Sequence, residues 1–590
     1  MCGIAALFAY DGDAPAVRRE ELESINERMR PRGPDAGGTW ISDDSRVGLA
    51  ARRLAIIDLT AEGDQPLTDT AGELVIVFNG EIYNHRELRA RLERGGARFH
   101  SSSDTEVLLQ LYRAHGADMV ELLRGMFAFC IWDKRRERMF VARDPYGIKP
   151  LYFADDGRTI RIASTVKALL AGGAVSRTID PAGVAGFFLT GTVPEPFTIH
   201  ESIRAVEAGT AFFVDGNGRG RARDHYSIAK VFRNGCSQHA FVTLVPPAMQ
   251  LCEFVSESLA YHLVSDVPVG AFLSAGIDST GLVALAKQPM RTVTLSFDAF
   301  RGGASDESQI AERFAAEMHS THTTRVVTRD EFQRDLPRFF DAMDQPTIDG
   351  VNTWFVSKAT AEQGLKVAIS GIGGDELFGS YPSFTTLPRI VRSMSLARRV
   401  PGGIQAARAA LAMMKRSPKA PAVTRYGATW GGAYLVQRGL YMPSELREVM
   451  DAEAAEEGMK RLAIFDRAEA MLDPDPASEF GRVATLEATL YMRNQLLRDT
   501  DWASMAHSLE VRTPLVDAWL LRQLAPLLTN EGQASKQYFA DSPRPALPDY
   551  VRNRAKTGFV VPLIDWAQLE PDGTGTRMRS WAKRVMGTFR

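Results

Sequence analysis

Near residue 205 the chain changes texture, and that change constrains its fold more than any other feature of the sequence. Before it, short apolar runs alternate with turn residues. Leu74-Val75-Ile76-Val77-Phe78 reads as a buried strand stopped by Asn79-Gly80, and His85 to Arg94 follows with helical periodicity. Met126 to Trp132 and Arg138 to Ala142 read as two more strands, joined by the charged turn Asp133-Lys134-Arg135-Arg136. The pattern predicts stacked, mostly antiparallel sheets with helices outside. Later in the chain the texture is an α/β alternation. Val267 to Leu273 and Lys366 to Ile369 are short apolar strands, each ending in a Gly/Ser loop that opens a helix. That is the pattern of a parallel sheet with ligands at the carboxyl ends of its strands. Between the two textures, Asp215-Gly216-Asn217-Gly218 is a turn and the stretch to Gln238 is polar. Residues 206–240 are therefore expected to be an irregular linker between an N-terminal domain over 2–205 and a C-terminal domain over 241–590. Residues 385–480, rich in Ala, Arg, Leu and Met, are expected to be helical. A chain of 590 residues is in any case too long for one core.

Several function classes are disfavoured at once. A formal net charge of -2 gives no electrostatic reason to expect nucleic acid or an anionic membrane as partner. No apolar run reaches the length that spans a bilayer, and the start, Met1-Cys2-Gly3-Ile4, has no basic segment of the signal-peptide kind. The four cysteines (Cys2, Cys130, Cys236, Cys252) form no CxxC pair and no zinc-ligand spacing. A reducing, cytoplasmic setting is expected.

Cys2 is the first chemical clue. Removal of Met1 would place its thiol beside a free α-amino group, so nucleophile and base would share one residue. The segments Arg32-Gly33-Pro34-Asp35, Arg53 to Asp58, Asn79-Gly80-Glu81-Ile82-Tyr83-Asn84-His85, Ser103-Asp104 and Arg143-Asp144-Pro145-Tyr146-Gly147 follow in order. Together with Met-Cys-Gly-Ile they resemble the glutaminase domain of the class II amidotransferases, which are N-terminal-nucleophile hydrolases. The resemblance implies an αββα sandwich in which Cys2 attacks the side-chain amide of glutamine. It assigns the oxyanion to the Asn79 side chain and the Gly80 N–H, the α-carboxylate of glutamine to Arg53, and its α-ammonium to Glu81 and Asp104. Pro31 stands where that family often has His.

The second clue is Leu273-Ser274-Ala275-Gly276-Ile277-Asp278-Ser279, a strand end, a Ser/Gly loop and a helix start near Ser279. Backbone N–H groups at such a helix start cradle pyrophosphate. The segment resembles the S-G-G-x-D-S loop of the ATP pyrophosphatases, with Ala275 in place of the middle Gly. Ser370-Gly371-Ile372-Gly373-Gly374-Asp375-Glu376 is a second glycine loop after a strand. Asp278 and Asp375 are natural oxygen ligands for Mg²⁺ on the pyrophosphate. With Asp306, with Tyr491 to Asp517, with Lys536 and with Arg554 to Phe559, the chain resembles glutamine-hydrolysing asparagine synthetase from Cys2 to Phe559. The resemblance implies a PP-loop domain binding ATP and Mg²⁺. Leu273 and Phe297 would flank adenine, Ser370 and Gly371 would contact the nucleotide, and Lys536 would steady charge on the phosphates. Homodimers are common among such enzymes.

The family's second loop commonly reads S-G-E-G-x-D-E, and Ile372 occupies the glutamate position here. Either a neighbouring carboxylate (Asp344, Asp349 or Glu376) takes over, or the acceptor is a carboxylate other than aspartate. The expected activity is a glutamine-dependent, ATP-consuming amidation. The alternatives are a glutaminase with a silent second domain and a non-catalytic descendant of the enzyme.

Overall fold

The computed structural model describes residues 2–237, 246–303, 305–413, 419–529, 535–554, 561–570 and 577–589. Its N-terminal part is two antiparallel sheets laid face to face. In the first, β1 (Cys2–Ala9) pairs with β2 (Val47–Arg53) and with the strand Thr159–Ala163. The second is built around β3 (Leu74–Ile82), β4 (Gly125–Asp133), β5 (Arg138–Arg143) and β6 (Thr210–Asp215), adjacent in that order.

Side-chain alternation explains the layering. Ile4, Ala6 and Phe8 of β1 meet Val75 and Val77 of β3 and Cys130 of β4 between the sheets. The intervening Ala5, Leu7 and Ala9 pack under the helices Arg19–Arg28 and Val166–Ala171. Leu74, Ile76 and Phe78 of β3 pack in the same way under His85–Arg94 and Asp104–His115. The strands are buried on both faces, which is why they read as continuous apolar runs rather than as alternating ones. The result is the expected αββα sandwich.

Two expectations need correction. β3 does not stop at Asn79-Gly80, because Asn79 pairs with Ala128 and Gly80 with Phe127 in the ladder with β4. Gly80 has φ 149°, and a Cβ there would lie 2.0 Å from the Met126 carbonyl oxygen, so only glycine fits. The stretch 206–240 is not irregular where it is described. It contributes β6 and two short strands, Gly218–Arg219 and Arg223–Asp224, to the second sheet. The helix Ile228–Ser237 follows and packs against Ala518–Thr529.

The C-terminal part is a five-stranded parallel sheet. β7 (Val269–Phe272) is central, followed by the helix α1 (Ile277–Leu285). On one side lie β8 (Arg291–Phe297) and then Thr321–Val327. On the other lie β9 (Val367–Ile369) and, after the helix α2 (Arg498–Met505), β10 (Glu510–Arg512). The chain therefore winds one way from β7 and then returns to the other side. β7 and β9 flank the switch point, outside whose carboxyl ends ligands bind in such sheets. Residues 385–480 are largely helical, as expected. Among the described residues no helix is long and apolar enough to cross a membrane.

Candidate active sites

Cys2 opens β1 and is paired in register with Arg53 at the end of β2. β3 brings Asn79 alongside. The Cys2 backbone nitrogen donates to Asn79 Oδ1 at 3.0 Å. That bond aims the amide, and it leaves Asn79 Nδ2 buried without a hydrogen-bond partner. A buried orphan donor costs about 1–3 kcal/mol, and beside a nucleophile it is the group an oxyanion would satisfy. Burial pushes the Cys2 thiol above its ordinary pKa, against the pull of the nearby amino-terminal charge.

Glu81 and Asp104 sit together at the same pocket. Burial raises both carboxyls, and Glu81 is raised further by Glu510 and by Asp104 itself. Asp104 Oδ2 accepts the Ile82 N–H at 2.9 Å. The two carboxyls are buried in one pocket with Cys2. Arg53 is placed differently from its expected task. Its guanidinium donates to the carbonyls of Ile57, Asp58 and Thr60 and to Asp64 Oδ1. The space among Cys2, Arg53, Gly80, Glu81 and Asp104 is about 20 Å³, enough for one water. The 54–65 segment, which Arg53 ties together through these bonds, walls the pocket.

Other motif residues hold the scaffold. Asp144 accepts the backbone N–H groups of Tyr146, Ile148 and Lys149 at 2.9–3.0 Å, closing the turn after β5. Arg143 forks onto Glu195. Arg32 Nε donates to the Cys2 carbonyl at 3.3 Å, and its other two nitrogens fork onto Asp501 of α2. Arg512 of β10 reaches Glu81 at 3.5 Å and Glu510 at 2.5 Å. No local pattern in the sequence points to a partner for these buried charges. Two charged residues flanking Val511 in an otherwise apolar strand were the available signal.

The second site is a cavity of about 460 Å³ at the switch point. Leu273, Ser274, Gly276, Asp278 and Ser279 line it from the first glycine loop, and Ser370, Gly371 and Asp375 from the second. Ser274 and Ser279 hold the first loop through an Oγ–Oγ contact of 2.9 Å. The loops touch: a Cβ on Gly374 would lie 2.4 Å from the Asp278 carboxylate. Lys536 begins the helix Lys536–Asp541 and bridges the two aspartates, with Nζ 2.7 Å from Asp278 and 2.5 Å from Asp375. Burial works against its charge, and the two carboxylates hold its pKa up.

Two expected members stand apart. Phe297 does not line the cavity. It packs edge-on against Trp566 and Phe300, while Val293 and Leu295 of the same strand face the space. Asp306 accepts from Ser296, Gly302 and Ser308, closing the turn before the helix Ser308–Glu317. Its neighbour Glu307 supports the first loop, taking the Ala275 N–H at 3.2 Å. Of the carboxylates near Ile372, Asp349 and Glu376 line the cavity. Asp344 instead accepts the N–H groups of Val166 and Lys167. Residues 555–559 of the expected C-terminal signature lie outside the described residues.

Comparison with known proteins covers both halves of the chain. A glutamine amidotransferase domain model matches residues 1–226, and an asparagine synthase model matches residues 250–584. Asparagine synthetase [glutamine-hydrolyzing] 1 of Bacillus subtilis is 31% identical, over 99% of this chain and 90% of its own. A putative asparagine synthetase [glutamine-hydrolyzing] of Mycobacterium tuberculosis is 30% identical, over 100% and 91%. Asparagine synthetase B of Escherichia coli is 31% identical, over 66% of each chain.

Proposed function

Because the chain belongs to the glutamine-hydrolysing asparagine synthetase family, it is a carbon–nitrogen ligase with glutamine as nitrogen donor, and we propose the following division of labour. With Met1 removed, the nitrogen held by Asn79 Oδ1 is the α-amino group of Cys2. It takes the thiol proton, which matters because burial disfavours the bare thiolate. The sulfur attacks the glutamine amide, and the Asn79 Nδ2 donor and the Gly80 N–H receive the oxyanion. Collapse expels ammonia and leaves a thioester, which water cleaves to glutamate. Glu81 and Asp104 hold the substrate ammonium, and Arg53 its carboxylate once the 54–65 segment has moved.

In the second site the acceptor carboxylate attacks the α-phosphorus of ATP, giving an acyl-adenylate and pyrophosphate. Ammonia then attacks the acyl carbon and expels AMP. Ser274, Gly276, Ser279, Ser370 and Gly371 hold the nucleotide. Two carboxylates that already share one cation, the Lys536 ammonium, suit Mg²⁺ as well. Asp278 and Asp375 would hold that ion, which would offset charge on the departing pyrophosphate. An enclosed passage would keep ammonia unprotonated between the sites. The observation that carries this reading is the convergence of both glycine loops and both aspartates on one cavity at the switch point, with Lys536 bridging the two aspartates. Aspartate is the acceptor suggested by the names of the relatives. Ile372 in the cavity wall, unable to take a proton, favours a second reading with another carboxylate.

The test is Cys2→Ala. Glutamine-dependent AMP formation is expected to vanish while ammonia-dependent AMP formation remains. Loss of both in a folded protein would refute the division between domains.

A further inference from the structure

The acceptor end of the second cavity has a definite charge character. Once the two glycine loops are assigned to ATP, Asp349, Asn352, Thr353, Glu376, Tyr381, Tyr491, Asp499 and Thr500 remain as its polar wall. No lysine or arginine among the described residues lines the cavity. Lys536 is engaged by Asp278 and Asp375. Arg438 stands behind the wall, its guanidinium 4.5 Å from the Tyr381 ring and 4.2 Å from the Tyr491 ring, and it is forked onto Glu487.

We propose that the acceptor carries a protonated amine beside the carboxylate that is activated, and no second free carboxylate, with the amine received by Asp349, Asp499 and Thr500. This rests on the reading that the cavity adenylates a carboxylate. It selects ω-amino acids and diamino monocarboxylic acids over dicarboxylic ones.

Two independent observations support it beyond the sign of the wall. Thr500 is 6% exposed, and its Oγ1 is buried, lines the cavity and has no hydrogen-bond partner. A hydroxyl oxygen in that position is a natural acceptor for an ammonium N–H. Asp499 and Asp349 are each only partly satisfied. Asp499 takes one bond per oxygen, from Trp502 Nε1 at 2.9 Å and from Thr347 Oγ1 at 2.8 Å. Asp349 takes the Gly350 N–H at 2.9 Å and a long 3.4 Å bond from Gln495. Each oxygen keeps acceptor capacity for a cation. The two acids also oppose one another: burial and then Asp349 push Asp499 up to about 8. An ammonium between them relieves that opposition. A second substrate carboxylate would add to it, with no described cation in the wall to offset it. Aspartate brings its ammonium and its unreacting carboxylate on the same carbon, so it meets both effects.

The experiment measures ATP–pyrophosphate exchange by the full-length protein with MgATP. One acceptor series is β-alanine, γ-aminobutyrate, 2,4-diaminobutyrate and ornithine; the other is succinate, glutarate, aspartate and glutamate. The best amine-bearing acid is expected to exceed the best dicarboxylate in kcat/KM by about tenfold or more. Asp499→Asn, and separately Thr500→Val, should shrink that ratio, with Thr500→Ser restoring it. Equal or greater exchange with the dicarboxylates overturns the inference and leaves the adenylating reading standing. So does an unchanged ratio in a folded Asp499→Asn protein. Absence of exchange with every acid of both series, in a protein that hydrolyses glutamine, overturns the adenylating reading and the inference with it.

Discussion

Replacing Asp501 with alanine would expose how far the glutamine site depends on the other half of the chain. Arg32 Nη1 and Nη2 lie 2.7 and 3.0 Å from the two Asp501 oxygens, and Arg32 Nε lies 3.3 Å from the Cys2 carbonyl. The two side chains are 6% and 4% exposed. Removing one partner from so buried a pair costs about 3–5 kcal/mol. The surroundings favour the lower figure. Arg32 also borders an open cavity of about 390 Å³, into which a released guanidinium can turn, and Asp344 gives it a weaker second attraction. The expected loss of stability is therefore about 3 kcal/mol, read from urea unfolding. The Nε contact goes with it, so the Cys2 backbone loses a restraint and glutaminase kcat/KM should fall by about tenfold or more. Arg32→Met combined with Asp501→Leu removes both charges and should recover most of the stability, because an apolar pair of similar size replaces a buried ion pair at little cost. It should not recover glutaminase activity. An Asp501→Ala protein within about 1 kcal/mol of the wild type, with full glutaminase activity, would refute the reasoning.

Asn79→Ala should lower glutaminase kcat by about 10²–10³-fold with little change in KM, since the lost donor acts on the oxyanion rather than on bound glutamine. A loss below about tenfold in glutamate release would remove Asn79 from that role. Asp499 makes stability depend on pH. Burial and Asp349 push it up to about 8 in the folded chain, against about 4 when unfolded. The stability from its bound proton is complete below about pH 4 and is lost as pH rises through about 8. Asp499→Asn should flatten this slope in urea unfolding between about pH 5 and pH 9; parallel slopes for variant and wild type would count against it.

What the sequence made legible was local. Cys2, Asn79-Gly80, Ser274 to Ser279 and Ser370 to Asp375 each sit within a few residues of a strand end, so composition and turn chemistry locate them. Long-range register escaped it. Asn79-Gly80 looks like a turn, yet nine residue pairs with β4 carry β3 through it, from Leu74 opposite Asp133 to Ile82 opposite Gly125. The polar stretch after residue 206 looks like a linker, but β6 inside it alternates and finds an edge beside β5. Phe297 shares a strand face with Val293 and Leu295, and only the position of Trp566, far along the chain, decides that it packs instead of lining the cavity. Asp499 and Asp501 lie two residues apart on α2, one at each site. No local pattern distinguishes the residue that borders the cavity from the one that holds Arg32.

The strand β10 shows why the two sites cannot be moved independently. Its backbone holds the nucleotide side: Glu510 N donates to the Lys366 carbonyl, and the Arg512 carbonyl accepts from Ser370, the first residue of the second glycine loop, both at 2.8 Å. Its side chains alternate, so Val511 packs with Ala368 and Leu509 while Glu510 and Arg512 share the opposite face. On that face Arg512, wholly buried, stands 3.5 Å from Glu81 and also donates to the carbonyls of His262 and Val264. Arg512 also pairs with Glu510, so one guanidinium serves both carboxylates. A displacement of Arg512 that followed Glu81 would pull on the carbonyl that positions Ser370. Three residues of strand thus tie Glu81, in the pocket of Cys2, to the second glycine loop.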